Sequence, residues 1–287
     1  MKVQSALSSL WLTSPLSLRA IITGMVMVLF AANVWPPLLL SLGVPLAATI
    51  EVVFLGLYVW WARGGGPPKR TRAARGLAFR SGALSPAQCS WGVIAALSFA
   101  VTIHAAIVLL FRFVPFPTEA FRHGYDLSFI PSLPLRWMAM VVSATSAGIC
   151  EEIGFRGYMQ QPIEQRHGAL PAILVSSFFF MLLHLTKAWA MIGMVPIVFG
   201  AGVLLGLLAW SSGSLIPGII GHIVMDIGLF AYWWTGIAGD FTARPISETG
   251  VDQPFVITSA ILVSALMVEL LAAWRLRRIR VSTTVAL

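Results

Sequence analysis

The sequence has 287 residues, of which 58% are hydrophobic and 10% are charged, and its formal net charge is +8. Soluble domains carry about 25% charged residues, so this composition excludes an ordinary soluble globular protein and predicts a polytopic membrane protein. Most of the positive charge lies in loops and tails, where membrane topology explains it without a nucleic-acid partner. The two cysteines, Cys89 and Cys150, do not indicate a disulfide framework.

Eight apolar segments follow one another along the chain, and we expect an all-α transmembrane bundle of about eight spans. Pro36 and Pro37 should kink or break the first span near its end, because proline disrupts the helical hydrogen bonds. The predicted spans are Leu18–Leu42, Val44–Trp61, Trp91–Val114, Leu135–Ile163, Ala169–Leu185, Ala190–Trp210, Leu215–Trp234 and Pro254–Trp274.

Arginine-rich segments indicate the orientation of the bundle. Residues 63–80 form a basic loop, predicted to be flexible because it begins with a Gly-Pro run, and the C-terminal tail carries four further arginines. Eight spans place this loop, the tail and both termini on one side, which is cytoplasmic by the positive-inside rule. The loops on the other side are close to charge-balanced. We expect an integral protein of the bacterial inner membrane.

The sequence divides into three predicted segments. Residues 1–130 contain the first three spans and the basic loop, residues 131–240 form a helical core, and residues 241–287 contain the last span and the basic tail. Ionisable residues that call for a chemical explanation are concentrated in the middle segment.

The fourth span contains Glu151, Glu152 and Arg156 within six positions. An ionisable residue at such a depth costs several kcal/mol unless it is paired or hydrated. Glu152 and Arg156 are spaced i,i+4, so they can form an ion pair on one face of the helix. Glu151 is rotated by about 100° from Glu152, and we expect it to face a cavity as a general base.

Two other spans carry polar pairs with the same spacing. Phe180 and His184 are i,i+4 on the fifth span, and His222 and Asp226 are i,i+4 on the seventh. At 1.5 Å per residue, Glu151, His184, His222 and Asp226 lie about 18, 22, 12 and 18 Å from the cytoplasmic ends of their helices. These similar depths predict one joint site, with Phe180 as an apolar wall.

Such a set of residues can activate a water molecule for hydrolysis. Glu151 can accept a proton from water, alone or with a metal ion, and the histidines can bind zinc or stabilise an oxyanion. The predicted catalytic residues are Glu151, Glu152, Arg156, His184, His222 and Asp226. The predicted ligands of a divalent metal, zinc being the first choice, are Glu151, His184, His222 and Asp226.

Each feature taken alone also has a simpler interpretation. Glu152–Arg156 alone would be a structural ion pair, and His184 alone would be a hydrogen-bonded core histidine. A nucleophilic role for Cys150 is rejected because nothing nearby acidifies its thiol. Glu51, Glu269 and His104 are interpreted as local helix contacts or cavity edges.

The three ordered motifs, Glu151-Glu152-x-x-x-Arg156, Phe180-x-x-x-His184 and His222-x-x-x-Asp226, resemble the signature of the CPBP family. These are the CAAX-processing and bacteriocin-processing intramembrane proteases, which include the type II CAAX prenyl endopeptidases and the Abi proteins. The resemblance covers roughly Leu135–Trp234. It implies a bundle of membrane helices around a conical cavity that opens to the cytoplasm.

The resemblance also implies roles for individual residues. Glu151 would activate water with help from His184, while His222 and Asp226 would bind the oxyanion or assist a metal. The prenyl endopeptidases have asparagine at the position of Asp226. An aspartate is a better metal ligand there, and a poorer oxyanion donor unless it is protonated.

The sequence therefore predicts an intramembrane endopeptidase that acts on a membrane-associated peptide or protein within the lipid bilayer. A proton- or ion-coupled transporter would use the same buried carboxylates and histidines as a proton relay. A non-catalytic immunity or assembly protein is the third interpretation. The ordered motifs favour the enzyme, and neither the substrate nor the oligomeric state can be read from the sequence.

Overall fold

The computed structural model describes residue 11 and residues 13–123, 126–188 and 192–285, and these residues form helices and loops without a strand. The predicted all-α fold is confirmed. The helices are α1 Leu16–Ala32, α2 Trp35–Leu42, α3 Val44–Ala62, α4 Arg72–Ala78, α5 Pro86–Phe113, α6 Thr118–His123, α7 Leu133–Glu151, π1 Glu152–Gln160, α8 Gln161–His167, α9 Ala169–Ala188, α10 Met194–Ser212, α11 Ile216–Gly228, π2 Leu229–Trp234, α12 Ile246–Thr249 and α13 Gln253–Val285.

Seven helical stretches in the described residues are long and apolar enough to cross a membrane, so the chain is an integral, multi-pass membrane protein. They match seven of the eight predicted spans. The remaining one, Ala169–Leu185, is a shorter apolar stretch of 17 residues within α9. Ala190, the predicted start of the sixth span, lies outside the described residues, and its helix is described from Met194. An even number of crossings and cytoplasmic termini stay predictions.

The first span is broken where the prolines predicted it. Helix α1 ends at Ala32, and α2 restarts at Trp35 with Pro36 and Pro37 in its first turn. Proline is tolerated there because the first N–H groups of a helix have no partner within that helix.

The fourth span differs from the regular helix that the sequence predicts. Its central residues, Glu152–Gln160, form a π-helix between α7 and α8, and all nine are buried. A π-helix bonds each residue to the fifth one along, and such turns are rare and concentrated at functional sites. A run of nine residues is too short for its hydrophobic pattern to separate the 3.6-residue period of an α-helix from the wider period of a π-helix. The sequence pattern therefore did not predict this segment.

Two glycines allow α1 to lie directly against π1. A Cβ at Gly24 would lie 2.7 Å from the Cβ of Met159, and a Cβ at Gly154 would lie 2.9 Å from the carbonyl oxygen of Gly24. Small residues permit this close backbone approach between membrane helices. The packing fixes π1 from the side of the N-terminal helix.

The basic loop is more ordered than its Gly-Pro composition predicts. The Arg75 side chain is buried and donates to the carbonyl oxygens of Gly65 and Gly66, at 2.6 and 3.0 Å, and also to that of Trp61. Arg80 is also buried and binds Glu164 at 2.6 Å. These two arginines therefore fold the loop onto the bundle, in addition to the topological role predicted for the loop as a whole.

Helix ends meet at two opposite ends of the bundle. At the first, which we call the cationic end, Ser17 binds His167 at 3.0 Å, Arg80 binds Glu164, and Arg280 donates to the Trp210 carbonyl oxygen at 2.5 Å.

At the second end, which we call the balanced end, Arg112 binds Asp252 at 2.8 Å and Arg122 pairs with Asp240. The rings of Phe121 and Trp234 stack there, with centroids 4.3 Å apart. The bundle thus has one end that is rich in arginine and one end where arginines and acidic residues form pairs.

The close approach of α1 and π1 predicts that Gly154→Ala lowers stability. The added methyl group would overlap Val28 and the Gly24 backbone, and overpacking of this kind costs about 1–3 kcal/mol. Thermal unfolding of the detergent-solubilised protein measures the effect.

Gly56→Ala is the matched control, because an added Cβ at Gly56 in α3 meets nothing within 4 Å. This change should leave the unfolding temperature the same or raise it slightly, since alanine favours a helix over glycine. Equal unfolding temperatures for the two variants would contradict the tight contact.

Candidate functional site

A cavity of about 100 Å³ lies between α5, α7, α9, α10, α11 and π2. Four of the six predicted site residues contribute polar side chains to its wall: Glu151, His184, His222 and Asp226. The other two, Glu152 and Arg156, are fully buried behind that wall. The structure therefore brings together all six residues that the sequence singled out, and Phe180 forms part of the apolar wall as predicted.

Glu151 and His184 face each other across the cavity. Glu151 Oε2 lies 3.7 Å from His184 Nε2, and this buried oxygen has no hydrogen-bond partner in the described residues. His184 Nδ1 lies 2.8 Å from the Phe180 carbonyl oxygen, so Nδ1 carries the proton and donates it. In the neutral ring, Nε2 then presents its lone pair to Glu151, and a water molecule can donate to both acceptors.

Glu152 turns away from the cavity and binds two groups. Its Oε1 accepts from Arg156 Nη1 at 2.8 Å and from His222 Nδ1 at 2.9 Å. The predicted pairing with Arg156 is present, and the bond to His222 is a contact that sequence spacing did not reveal. Through this oxygen, π1 positions a ring that belongs to α11.

Arg156 is surrounded on every side by buried groups. Nη2 donates to the Gly202 carbonyl oxygen at 3.2 Å, and the guanidinium carbon lies 4.4 Å from the Phe180 ring centroid. A cation over an aromatic face is stabilised by the ring quadrupole. Arg156 thus joins π1 to α9 and α10, and Glu152 balances its charge.

His222 lies between two carboxylates. Nδ1 donates to Glu152, and Nε2 lies 3.6 Å from Asp226 Oδ2 on the cavity side. A carboxylate that accepts from one ring nitrogen of a histidine fixes the orientation of the ring, and it thereby sets the direction in which the other ring nitrogen points. The Nε2 atom of His222 therefore faces the cavity beside Asp226.

The donor types suit zinc, but their spacing does not bring three of them to one point. The four cavity residues form two pairs, Glu151–His184 and His222–Asp226, separated by 3.7 and 3.6 Å within each pair. No group of three or more His, Cys, Asp or Glu among the described residues is placed to hold a metal ion. The predicted zinc therefore lacks a ligand set in this geometry and stays a prediction.

Sequence reasoning did not identify several residues that support the site. Arg80 Nε donates to the Arg156 carbonyl oxygen at 3.2 Å, which ties the basic loop to π1. Gly218 lies against Glu152, where an added Cβ would come within 3.1 Å of Oε2. The glycines in α10 and α11 are visible in the sequence, but their partners become apparent only in three dimensions.

The other buried ionisable residues lie outside the cavity wall. Glu51 accepts a hydrogen bond from Ser146 at 2.6 Å, and Glu269 lies beside Thr102 on α5. His104 contacts the Met225 carbonyl oxygen at 3.2 Å and accepts from the Trp233 indole at 3.3 Å. The contacts of Glu51 and His104 join different helices, so they are not the local helix contacts that the sequence predicted.

Comparison with known families connects this geometry to a class of proteins. Residues 131–228, about a third of the chain, match the family model described as type II CAAX prenyl endopeptidase Rce1-like. The matched region includes all six predicted site residues. Neither the curated proteins nor the solved structures gave a match to this chain.

The bonds of Glu152 predict that Glu152→Gln destabilises the fold. The change leaves the buried guanidinium of Arg156 without a balancing charge, and breaking one partner of a buried ion pair costs about 3–5 kcal/mol. We expect a large drop in the unfolding temperature of the purified protein.

Asp240→Asn provides the comparison, because it breaks the solvent-exposed pair with Arg122. Exposed pairs contribute little to stability, so this variant should unfold close to the parent. If Glu152→Gln unfolds at the same temperature as Asp240→Asn, Glu152 does not brace the site.

Proposed function

We propose that the protein is an intramembrane endopeptidase of the CPBP type, because residues 131–228 match the family model described as type II CAAX prenyl endopeptidase Rce1-like. The proposed reaction is hydrolysis of a peptide bond in a membrane-associated peptide or protein. The observation that carries the mechanism is the pair Glu151–His184, whose two acceptor atoms face each other at 3.7 Å in the cavity.

The first step of the proposed mechanism is water activation. A water molecule between Glu151 Oε2 and His184 Nε2 donates one hydrogen to each. As its oxygen adds to the carbonyl carbon of the peptide bond, Glu151 accepts the proton. His184 orients the water and is itself held by its bond to the Phe180 carbonyl oxygen.

The second step is stabilisation of the tetrahedral intermediate. The negative oxygen that forms on the substrate needs a hydrogen-bond donor on the opposite wall. His222 Nε2 and Asp226 lie there, and one proton shared between them supplies that donor. Glu151 then transfers its proton to the leaving amine, the carbon–nitrogen bond breaks, and the carboxyl product forms.

The proposed role of Glu152 and Arg156 is to position these groups. Glu152 holds His222 from behind, and Arg156 holds Glu152 in place. Neither residue lines the cavity, so neither contacts the substrate in this mechanism. Phe180 links the two parts, because it contacts Arg156 and carries the carbonyl oxygen that orients His184.

The proposed mechanism predicts that Glu151→Gln and His184→Ala lose hydrolysis. General-base catalysis contributes about 10²–10⁴-fold, so the Glu151 variant should fall by at least that range. New peptide termini in membranes from cells expressing each variant, quantified by mass spectrometry, provide the measurement.

Glu51→Gln is the matched control, because it makes the same change at a buried membrane glutamate outside the cavity wall. It should retain the parental level. New termini at the parental level in both site variants would refute the protease. Proton-driven flux in liposomes without new termini would favour the transporter interpretation.

The two-pair geometry predicts that hydrolysis persists when a zinc chelator is added to the membranes. The reason is that Glu151 and His184 can activate water without a third ligand. Loss of activity that added zinc restores would establish instead the metal set predicted from the sequence, which comprises Glu151, His184, His222 and Asp226.

A further inference from the structure

Charge is distributed very unevenly between the two ends of the bundle. Among the described residues of the cationic end, Glu164 is the single acid, and the basic residues are Arg19, Arg63, Lys69, Arg70, Arg72, Arg75, Arg80, Arg166, Arg275, Arg277, Arg278 and Arg280. The sequence places five basic residues (Arg112, Arg122, Arg136, Lys187 and Arg244) and five acids (Glu119, Asp126, Asp240, Glu248 and Asp252) at the balanced end. By the positive-inside rule, the cationic end is cytoplasmic.

The cavity extends toward the balanced end. Its lining includes Phe121, Met194 and Trp234, which lie where their helices meet the loops of the balanced end. Helix α5 also contributes Ile103 and Ile107 to the lining, and both lie in the half of the helix nearer Phe113. The candidate catalytic groups therefore form the floor of a cavity whose far wall belongs to the balanced end.

Toward the cationic end, the same cavity is closed by buried polar bonds. Gln160 donates to the Gly206 carbonyl oxygen at 3.0 Å, and Arg80 donates to that of Arg156. Tyr158 donates to the Ala62 carbonyl oxygen at 2.9 Å. With every residue of π1 buried, this layer separates the candidate site from the cationic end.

We infer that the substrate enters the cavity from the balanced end, and that this end faces away from the cytoplasm. The substrate is then a membrane-anchored peptide segment presented on the extracytoplasmic face. The resemblance implies a cavity open to the cytoplasm, whereas the arginine distribution of this chain favours an opening on the other side. The inference depends on the proposed function only in treating the cavity as catalytic.

A polar cleft of about 630 Å³ adjoins the cavity at this end and shares Trp234 with it. The short helix α6 serves both spaces, because Phe121 lines the cavity while Glu119 and Arg122 line the cleft. The stacked rings of Phe121 and Trp234 lie where the two spaces meet.

Charged side chains line the cleft and can bind a polar segment of a substrate peptide. Hydrogen bonds from the backbone and side chain of Ser128 lower the pKa of Asp126, so this carboxylate is ionised at neutral pH. Arg136 donates to the Ile130 carbonyl oxygen, and Arg122 pairs with Asp240, which fixes both cations. The cleft thus suits the polar residues that flank a cleavage site, while the apolar cavity receives the residue beside the scissile bond.

Cysteine labelling in intact cells tests the side of entry without requiring catalysis. Exposed Cys89 is first replaced by serine, while Cys150 is buried and can remain. In this background, Ser128→Cys reports on the cleft and Ser81→Cys reports on the cationic end. A membrane-impermeant maleimide should label Ser128→Cys in intact cells and Ser81→Cys only after permeabilisation. The reverse pattern, or labelling of both positions only after permeabilisation, would overturn the inference.

A second measurement tests the cleft as the route. A bulky maleimide on Ser128→Cys should remove most of the hydrolysis that this variant shows before labelling. The same label on Val251→Cys, an exposed position of the balanced end outside the cleft, should leave hydrolysis unchanged. Equal effects at both positions would exclude the cleft as the route. Correct labelling with no hydrolysis in the parent would refute the protease and leave the orientation established.

Discussion

The buried charge of Arg156 is the constraint on which the rest of the site depends. A guanidinium removed from water must be neutralised, and here Glu152 balances the charge through Nη1, Nη2 donates to the Gly202 carbonyl oxygen, and the Phe180 ring lies against the guanidinium. Each partner lies on a different helical segment. The contacts of Arg156 therefore align π1, α9 and α10. The oxygen that pairs with it, Glu152 Oε1, also orients His222 on α11.

Much of the fold and the identity of the site residues could be predicted from the sequence, because both depend on local patterns. Apolar length gave the spans, proline gave the break after Ala32, and i,i+4 spacing gave the pair Glu152–Arg156. Contacts between helices were not predictable in the same way. The bond from His222 to Glu152 joins residues 70 positions apart, and nothing in either motif specifies it. The π-helical segment packs against Gly24 of α1, and no local period encodes this contact.

The adjacent acids Glu151 and Glu152 have separate environments, as the rotation of about 100° between neighbouring helical residues predicts. Glu151 is the last residue of α7 and faces the cavity, whereas Glu152 begins π1 and is fully enclosed. Both carboxylates have a buried Oε2 without a hydrogen-bond partner among the described residues, but Glu152 accepts from two donors through Oε1. Two identical side chains that are adjacent in the sequence therefore have different surroundings and different contacts.

The contact between α1 and π1 also limits how the domain can be delimited. The region that matches the protease family begins at residue 131, yet Gly24 and Val28 cover Gly154, and Ile103 and Ile107 complete the cavity wall. A fragment cut at the boundaries of similarity would expose an apolar helix face and open the cavity on the α5 side. The match covers the helices that carry the candidate site, while the packing that holds this site together extends over helices that sequence similarity leaves out.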